Sequence, residues 1–228
     1  MYNTYLFDMD GTLIDSAPGY IVAFNRLLVK HGQYPADDDT ISQTISSGAR
    51  TTIRQTWQSE LTDEQIESLR YEFIEIYNDR PELCQPPYAE PYAGIVDMLR
   101  QLQSKGYKTG IVTNKARKLA QPIVDATGLS AVIDILVCPQ DSQSVKPDPG
   151  GLHFALGELT ASEKSAIYIG DHQKDINTAI AASMHSIAVD YGYKDESDNY
   201  QDWQATYLAE SPQALIQLIN NFGVLEKS

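Results

Sequence analysis

The 228 residues suffice for one α/β domain with a sizeable insertion, or for two small domains. Hydrophobic side chains make up 42% of the chain, ordinary for a globular protein, and no apolar run approaches the ~20 residues of a membrane helix. With 31 acidic against 17 basic side chains the formal charge is −14, which disfavours nucleic-acid backbones and anionic lipid but leaves room for a small phosphate ligand in a locally cationic cleft.

No basic stretch followed by an apolar run marks the first residues, so a cytoplasmic location is expected. Cys84 and Cys138 lack a CxxC spacing and read as reduced thiols.

In chain order, Leu6 and Phe7 end a short buried strand, and Asp8 to Thr12 forms a glycine-containing turn. Residues 17–29 carry Ile21, Ala23, Phe24, Leu27 and Leu28 at helical spacing, with Asp15 or Ser16 available as cap and Pro18 in the first turn. From about Pro35 to Pro87 the chain is polar and poor in strand-like alternation. Helices are expected at 49–57 and 62–77; Thr62 is placed to cap the second, whose stripe is Ile66, Leu69, Phe73, Ile76 and Tyr77. The Asp37-Asp38-Asp39 run reads as a solvated loop or helix start. Beyond Pro87 the pattern alternates. Helices are expected at 95–103, 116–126, 149–159, 174–182 and 212–221, and strands at 108–113, 132–137, 165–170 and 186–189. That alternation predicts βαβ units, a parallel sheet and right-handed crossovers.

Chemistry in open parallel sheets collects at the carboxyl ends of the strands. Four polar clusters fall there: Asp8 to Thr12, Thr113 to Lys115, Lys146, and Asp171 to Asp175. A carboxylate held straight after a buried strand suits a nucleophile, and aspartate can accept a phosphoryl group and pass it to water. Asp10, two residues on, can protonate a leaving oxygen and then activate water. Gly11 lets the backbone turn back so that amides can face an anion.

The segment Phe7-Asp8-Met9-Asp10-Gly11-Thr12-Leu13 resembles the first signature of the haloacid dehalogenase (HAD) superfamily. Ile111-Val112-Thr113-Asn114-Lys115 resembles the second, Lys146-Pro147-Asp148-Pro149 the third, and Ile169-Gly170-Asp171-His172-Gln173-Lys174-Asp175 the fourth. All four stand in order, and the resemblance spans nearly the whole chain. It implies a Rossmann-like parallel sheet core at residues 1–16 and 86–228, with an all-helical cap of the C1 type at 17–85. It also implies a Mg²⁺-dependent phosphatase. Asp8 would be the nucleophile, Asp10 the acid–base, Thr113 a donor to the phosphoryl group and Lys146 its counter-charge. The metal would be held by Asp8, the Asp10 carbonyl and Asp171. Asp175 is counted with the metal residues, through direct contact or through a metal-bound water; orienting Lys146 and starting the next helix are the competing readings.

Gly11, Thr12, Asn114, Lys115 and Arg50 are the substrate-binding candidates. Arg50 follows Ser47-Gly48-Ala49, where relatives carry a substrate-reading loop; a surface arginine is the competing reading. His153, His172 and His185, like Trp57 and Trp203, are read as loop or packing residues. The Thr-Asn-Lys second signature resembles the phosphoglycolate phosphatase group, so a small phosphate ester is expected as substrate, phosphoglycolate or a sugar phosphate such as N-acetylmuramic acid 6-phosphate. Asp10 favours phosphoryl transfer over dehalogenation. A β-phosphoglucomutase-like phosphomutase is the alternative within enzymes. A non-catalytic regulator of the same fold is the alternative outside them, against which the retention of Asp8, Asp10, Lys146 and Asp171 argues. Monomer and homodimer both remain open.

Overall fold

The computed structural model describes residues 2–193 and 199–222. Its first strand, β1 (Thr4–Phe7), is buried at every position, as expected of a central strand covered on both faces. Five further strands join it: β4 (Lys108–Val112), β5 (Ile135–Val137), β6 (Ala166–Gly170), β7 (His185–Val189) and β8 (Tyr207–Ala209). The sheet order is β5-β4-β1-β6-β7-β8, and every neighbouring pair is parallel. The chain thus turns outward in both directions from β1, which leaves a switch point at its carboxyl end. The register places Phe7 opposite both Ile111 and Ile169. Residues 8, 113 and 171 therefore emerge at nearly one level.

Crossovers are made by α5 (Ile95–Ser104), α6 (Arg117–Ala126), α8 (Gly150–Glu158) and α9 (Gln173–Ala181), and α10 (Pro212–Asn221) closes the described chain. A short helix, α7 (Pro139–Ser142), precedes α8. Between β1 and β4 lie α1 (Ala17–Lys30), α2 (Asp38–Ser42), α3 (Ala49–Thr56) and α4 (Asp63–Asn78). α1 and α4 pack through Tyr20, Phe24 and Phe73, with ring centroids 4.8–6.1 Å apart, and Tyr77 donates its hydroxyl to the Leu83 carbonyl. The two passages between these helices and the sheet are tied as a ribbon: β2 (Ile14–Asp15) pairs antiparallel with β3 (Glu90–Pro91). No helix among the described residues is long and apolar enough to cross a membrane.

Thr62 forms a full capping box with Gln65 at the start of α4. Thr62→Ala is expected to cost about 1 kcal/mol, read as a lower midpoint in urea with unchanged slope.

The expected elements are all present within a residue or two except the strand at 132–137. It begins only at Ile135: Val132 closes a 3₁₀ turn at Leu129–Ala131, and Asp134 spends its carboxylate on the Thr109 amide. The Asp37-Asp38-Asp39 run starts α2, the second of its two expected readings, while helix α7 and strands β2, β3 and β8 lie outside the expectation, each too short to establish a period.

Candidate active site

Asp8 leaves the end of β1, and its amide bonds the Ile169 carbonyl across the sheet. Its carboxylate is buried together with those of Asp171 and Asp175, and one oxygen from each lies within 4.8 Å of the others. Lys146 enters from the opposite side of β4, its Nζ 2.8 Å from Asp8 Oδ1 and 2.6 Å from Asp175 Oδ1. The Tyr168 hydroxyl accepts from Lys146 at 3.2 Å and donates to the Val112 carbonyl at 2.7 Å, anchoring the lysine to the sheet.

Burial dominates the protonation of this cluster. Desolvation pushes the Asp8 carboxyl up to about 7; Lys146 pulls it back, and Asp175 and Asp10 push it further up. Asp171 is raised well above the usual carboxylate range by burial, then by Asp8 and Asp175. Burial disfavours the Lys146 ammonium, but Asp175 and Asp8 more than offset it and hold the group charged.

Three carboxylates face one ammonium here, so the cluster is short of positive charge. Asp8 Oδ1 has no donor aligned for a hydrogen bond, although Lys146 Nζ is near. An all-oxygen donor set with a charge deficit and an unsatisfied buried oxygen fits a hard divalent cation. Both oxygens of Asp175 are already engaged, Oδ1 by Lys146 and Tyr168 and Oδ2 by the His172 amide. Of the three acids it is the one most committed to orienting the lysine.

Around this centre the first loop is tightly packed. Gly11 sits at φ +76°, and a Cβ there would lie 2.1 Å from Asp171 Oδ2. Only glycine satisfies both the backbone and the contact. Its amide closes the turn on the Ile14 carbonyl rather than facing an anion. Thr12 is fully buried and donates its hydroxyl to Asp171 Oδ1 at 3.1 Å, which directs it to the acid instead of to a ligand. Asp10 Oδ1 receives Lys115 Nζ at 3.0 Å and a short hydrogen bond from the Ser16 hydroxyl.

Thr113 is buried, and its hydroxyl accepts from the Lys115 amide, leaving its own proton to donate. Asn114 clamps the lysine loop reciprocally, its Oδ1 accepting from the Lys146 amide at 2.8 Å and its Nδ2 donating to the Lys146 carbonyl at 3.2 Å. Lys115 runs up between the rings of Tyr20 and Tyr77, at 6.0 and 5.8 Å from their centroids. Arg50 is not brought to this cluster: its guanidinium is more than half exposed and pairs with Glu67 of α4 at 2.5 Å. His172 caps α9, its Nδ1 accepting from the Lys174 amide.

Three contributors escape a reading of the sequence. Tyr168 is one more aromatic in a strand. Ser16 carries the signal of a helix cap but spends its hydroxyl on Asp10. Tyr193, whose amide bonds Asp171 Oδ2 at 2.8 Å, stands beyond β7 in no motif at all.

Residues 5–189 match the family model of the haloacid dehalogenase-like hydrolases. An N-acetylmuramic acid 6-phosphate phosphatase of Pseudomonas aeruginosa is 33% identical over 215 residues, covering 94% of this chain and 93% of that protein. A phosphoglycolate phosphatase of Colwellia psychrerythraea is 32% identical over 190 residues, covering 82% and 84%. The crystal structure of a predicted phosphoglycolate phosphatase from Haemophilus somnus superposes with a TM-score of 0.84 at 22% identity, over 95% of this chain and 97% of that one, which supports the fold. With its four strand-end clusters converging on one buried acidic centre, and with relatives that are phosphatases, this chain belongs to the haloacid dehalogenase-like hydrolases.

Proposed function

We propose that the protein hydrolyses a small phosphomonoester that also carries a carboxylate, using Asp8 as nucleophile and Mg²⁺ as its metal. The observation that supports this most is the buried Asp8 carboxylate, paired at 2.8 Å with Lys146 and flanked by Asp171.

In this reading an Asp8 oxygen attacks phosphorus, and the bond to the leaving oxygen breaks. Asp10 gives that oxygen its proton and then takes one from the water that cleaves the aspartyl-phosphate. Ser16 occupies Asp10 Oδ1 and stays on it when Lys115 turns to the substrate, so Oδ2 is the oxygen that carries the proton. Lys146 and the Thr113 hydroxyl receive the charge that spreads over the phosphoryl oxygens. Asp8, Asp171 and the Asp10 carbonyl would hold the Mg²⁺, which supplies the charge that lets an anionic nucleophile meet an anionic ester. Asp175 keeps Lys146 in place.

Residues 17–85 act as the cap. Tyr20 of α1 and Tyr77 of α4 stand over Lys115, so the helical segment reaches the second signature from above. The two relatives act, by their names, on N-acetylmuramic acid 6-phosphate and phosphoglycolate, and each of those esters bears a carboxylate. Lys115 is the cation beneath the cap that such a group would meet, exchanging Asp10 for the substrate. The buried thiols Cys84 and Cys138 are free, which suits a reducing compartment, and the cytoplasm is our assignment.

The test is phosphate release from paired esters with and without a carboxyl group, phosphoglycolate and N-acetylmuramic acid 6-phosphate among them, in Mg²⁺ and in chelator. Release that needs the metal and prefers the acids supports the reading; equal rates for acid and neutral esters overturn the carboxylate, and release that persists in chelator overturns the metal. Asp10→Asn is expected to lower kcat by about 10²–10⁴-fold. An unchanged rate there would remove Asp10 from its role.

A further inference from the structure

The start of α1 has an unusual supply of hydrogen bonds. Ser16 stands at the N-cap position, yet its side chain makes no capping bond, because the hydroxyl is spent on Asp10. The amides of the first turn are satisfied from elsewhere. Pro18 has none, and the Gly19 amide bonds the Tyr88 carbonyl at 3.0 Å. The Ser16 and Ala17 amides both donate to one phenolic oxygen, that of Tyr193, at 2.7 and 2.9 Å. The Tyr193 hydroxyl in turn donates to Asp15 Oδ1 at 2.5 Å, and the same carboxylate accepts from the Ala17 amide.

Tyr193 is 177 and 176 residues distant from the two amides it accepts. It is brought to them by the segment after β7, which lies along the acidic centre. The Tyr193 amide bonds Asp171 Oδ2, and the Tyr191 hydroxyl donates to the Thr12 carbonyl at 2.9 Å. Gly192 allows the close approach, since a Cβ there would stand 2.3 Å from Asp171 Cβ. One residue therefore grips a carboxylate of the centre with its backbone and the β2 ribbon with its hydroxyl. Its strand β2 is one of the two passages between the sheet and the helical segment.

We infer that Tyr193 is a positioning residue for Asp10: by holding the Ser16 and Ala17 amides it fixes the Ser16 backbone, from which the Ser16 hydroxyl, released from capping by Pro18 and by the Gly19–Tyr88 bond, orients the Asp10 carboxylate. The link runs from Tyr193 through Ser16 to the acid–base. Without the phenolic oxygen the Ser16 amide is a buried donor with no acceptor, and the ribbon shifts to find one. Ser16 then leaves Asp10, and the carboxylate loses its orientation toward the leaving oxygen. The inference rests on the phosphatase reading only where turnover is the readout.

The experiment is a double-mutant cycle of Tyr193→Phe and Ser16→Ala, assayed by phosphate release with saturating Mg²⁺, together with amide hydrogen exchange at residue 16. Tyr193→Phe keeps the ring and the amide that bonds Asp171. Each single variant is expected to lower kcat about tenfold with KM changed less than about twofold, and the double variant to be no slower than the slower single. Losses that multiply, a Tyr193→Phe enzyme as fast as wild type, or a rise in KM alone overturn the inference. In exchange, the Ser16 amide is expected to open at least tenfold faster in Tyr193→Phe and to stay protected in Ser16→Ala; wild-type protection in Tyr193→Phe overturns it. If Tyr193→Phe does not fold, Asp15→Asn, which weakens the acceptor of the same hydroxyl, is expected to move both readings in the same sense, and no movement in either overturns it. A wild type that releases no phosphate refutes the phosphatase reading, and the exchange measurement still decides the grip on Ser16.

Discussion

Asp8→Asn protein is expected to fold as the wild type does and to lose turnover by about 10⁴-fold or more, as removal of a nucleophile that works within a coupled set does. The change is nearly isosteric, and it replaces a carboxylate that burial already pushes up to about 7, so the fold sacrifices little. Part of the Lys146 pairing at 2.8 Å is lost, but Asp175 at 2.6 Å still holds the lysine. The measurement is single-turnover phosphate release with a thermal melt on the same preparation. Turnover within tenfold of wild type, in protein free of contaminating phosphatase, would sink the assignment of the nucleophile; a collapsed melt would mean that Asp8 serves the fold as well.

Lys146→Met should damage both activity and stability, and the two losses have different causes. Activity falls because the ammonium no longer receives phosphoryl charge; removing one such donor costs about 10²–10³-fold. Stability falls because Asp8 and Asp175 are left buried without their cation. Breaking a buried pair from one side costs about 3–5 kcal/mol. The pH dependence separates these effects. In chelator and without Lys146, the raised Asp8 carboxyl rises further, since the lysine was the group pulling it down. A carboxyl whose folded pKa is raised binds protons more readily in the folded state, so it destabilises the fold increasingly as pH climbs from the unfolded value of about 4 through the folded value near 7 or above. The stability gap between variant and wild type is therefore expected to be narrower at pH 5 than at pH 8 in urea titrations. A gap that is constant with pH would mean that the loss is one of packing alone.

The separation of roles inside the acidic centre has a consequence for substitutions at Asp175. Its two oxygens face Lys146, Tyr168 and the His172 amide, so it is tied to the lysine and to the start of α9 at once. Asp171 is held differently, by Thr12 and by the Tyr193 amide, which come from opposite ends of the chain. Two acids four residues apart, one pattern in the sequence, thus have separate mechanical supports.

What the sequence determined by itself is the alternation of elements and the order of the four clusters. Buried strands such as Thr4–Phe7 and Ala166–Gly170 are mostly apolar, and a period that survives over a whole helix is legible without knowledge of its neighbours. Asp8, Lys146 and Asp171 were legible for the same reason: each follows a local pattern carried by adjacent residues. Tertiary structure alone decided the rest. Arg50 turned to Glu67 because an exposed cation pairs with whatever carboxylate the neighbouring helix offers. Thr12 and the Gly11 amide turned inward because a loop packed against Asp171 must satisfy its own polar groups before it can serve a ligand. The Ser16 hydroxyl was released to Asp10 because Pro18 has no amide and the Gly19 amide goes to Tyr88, and the Ser16 amide was met by Tyr193 across 177 residues. No local pattern encodes such a contact, since the hydrogen bond exists only once the sheet has brought β1 and β7 to the same edge of the site.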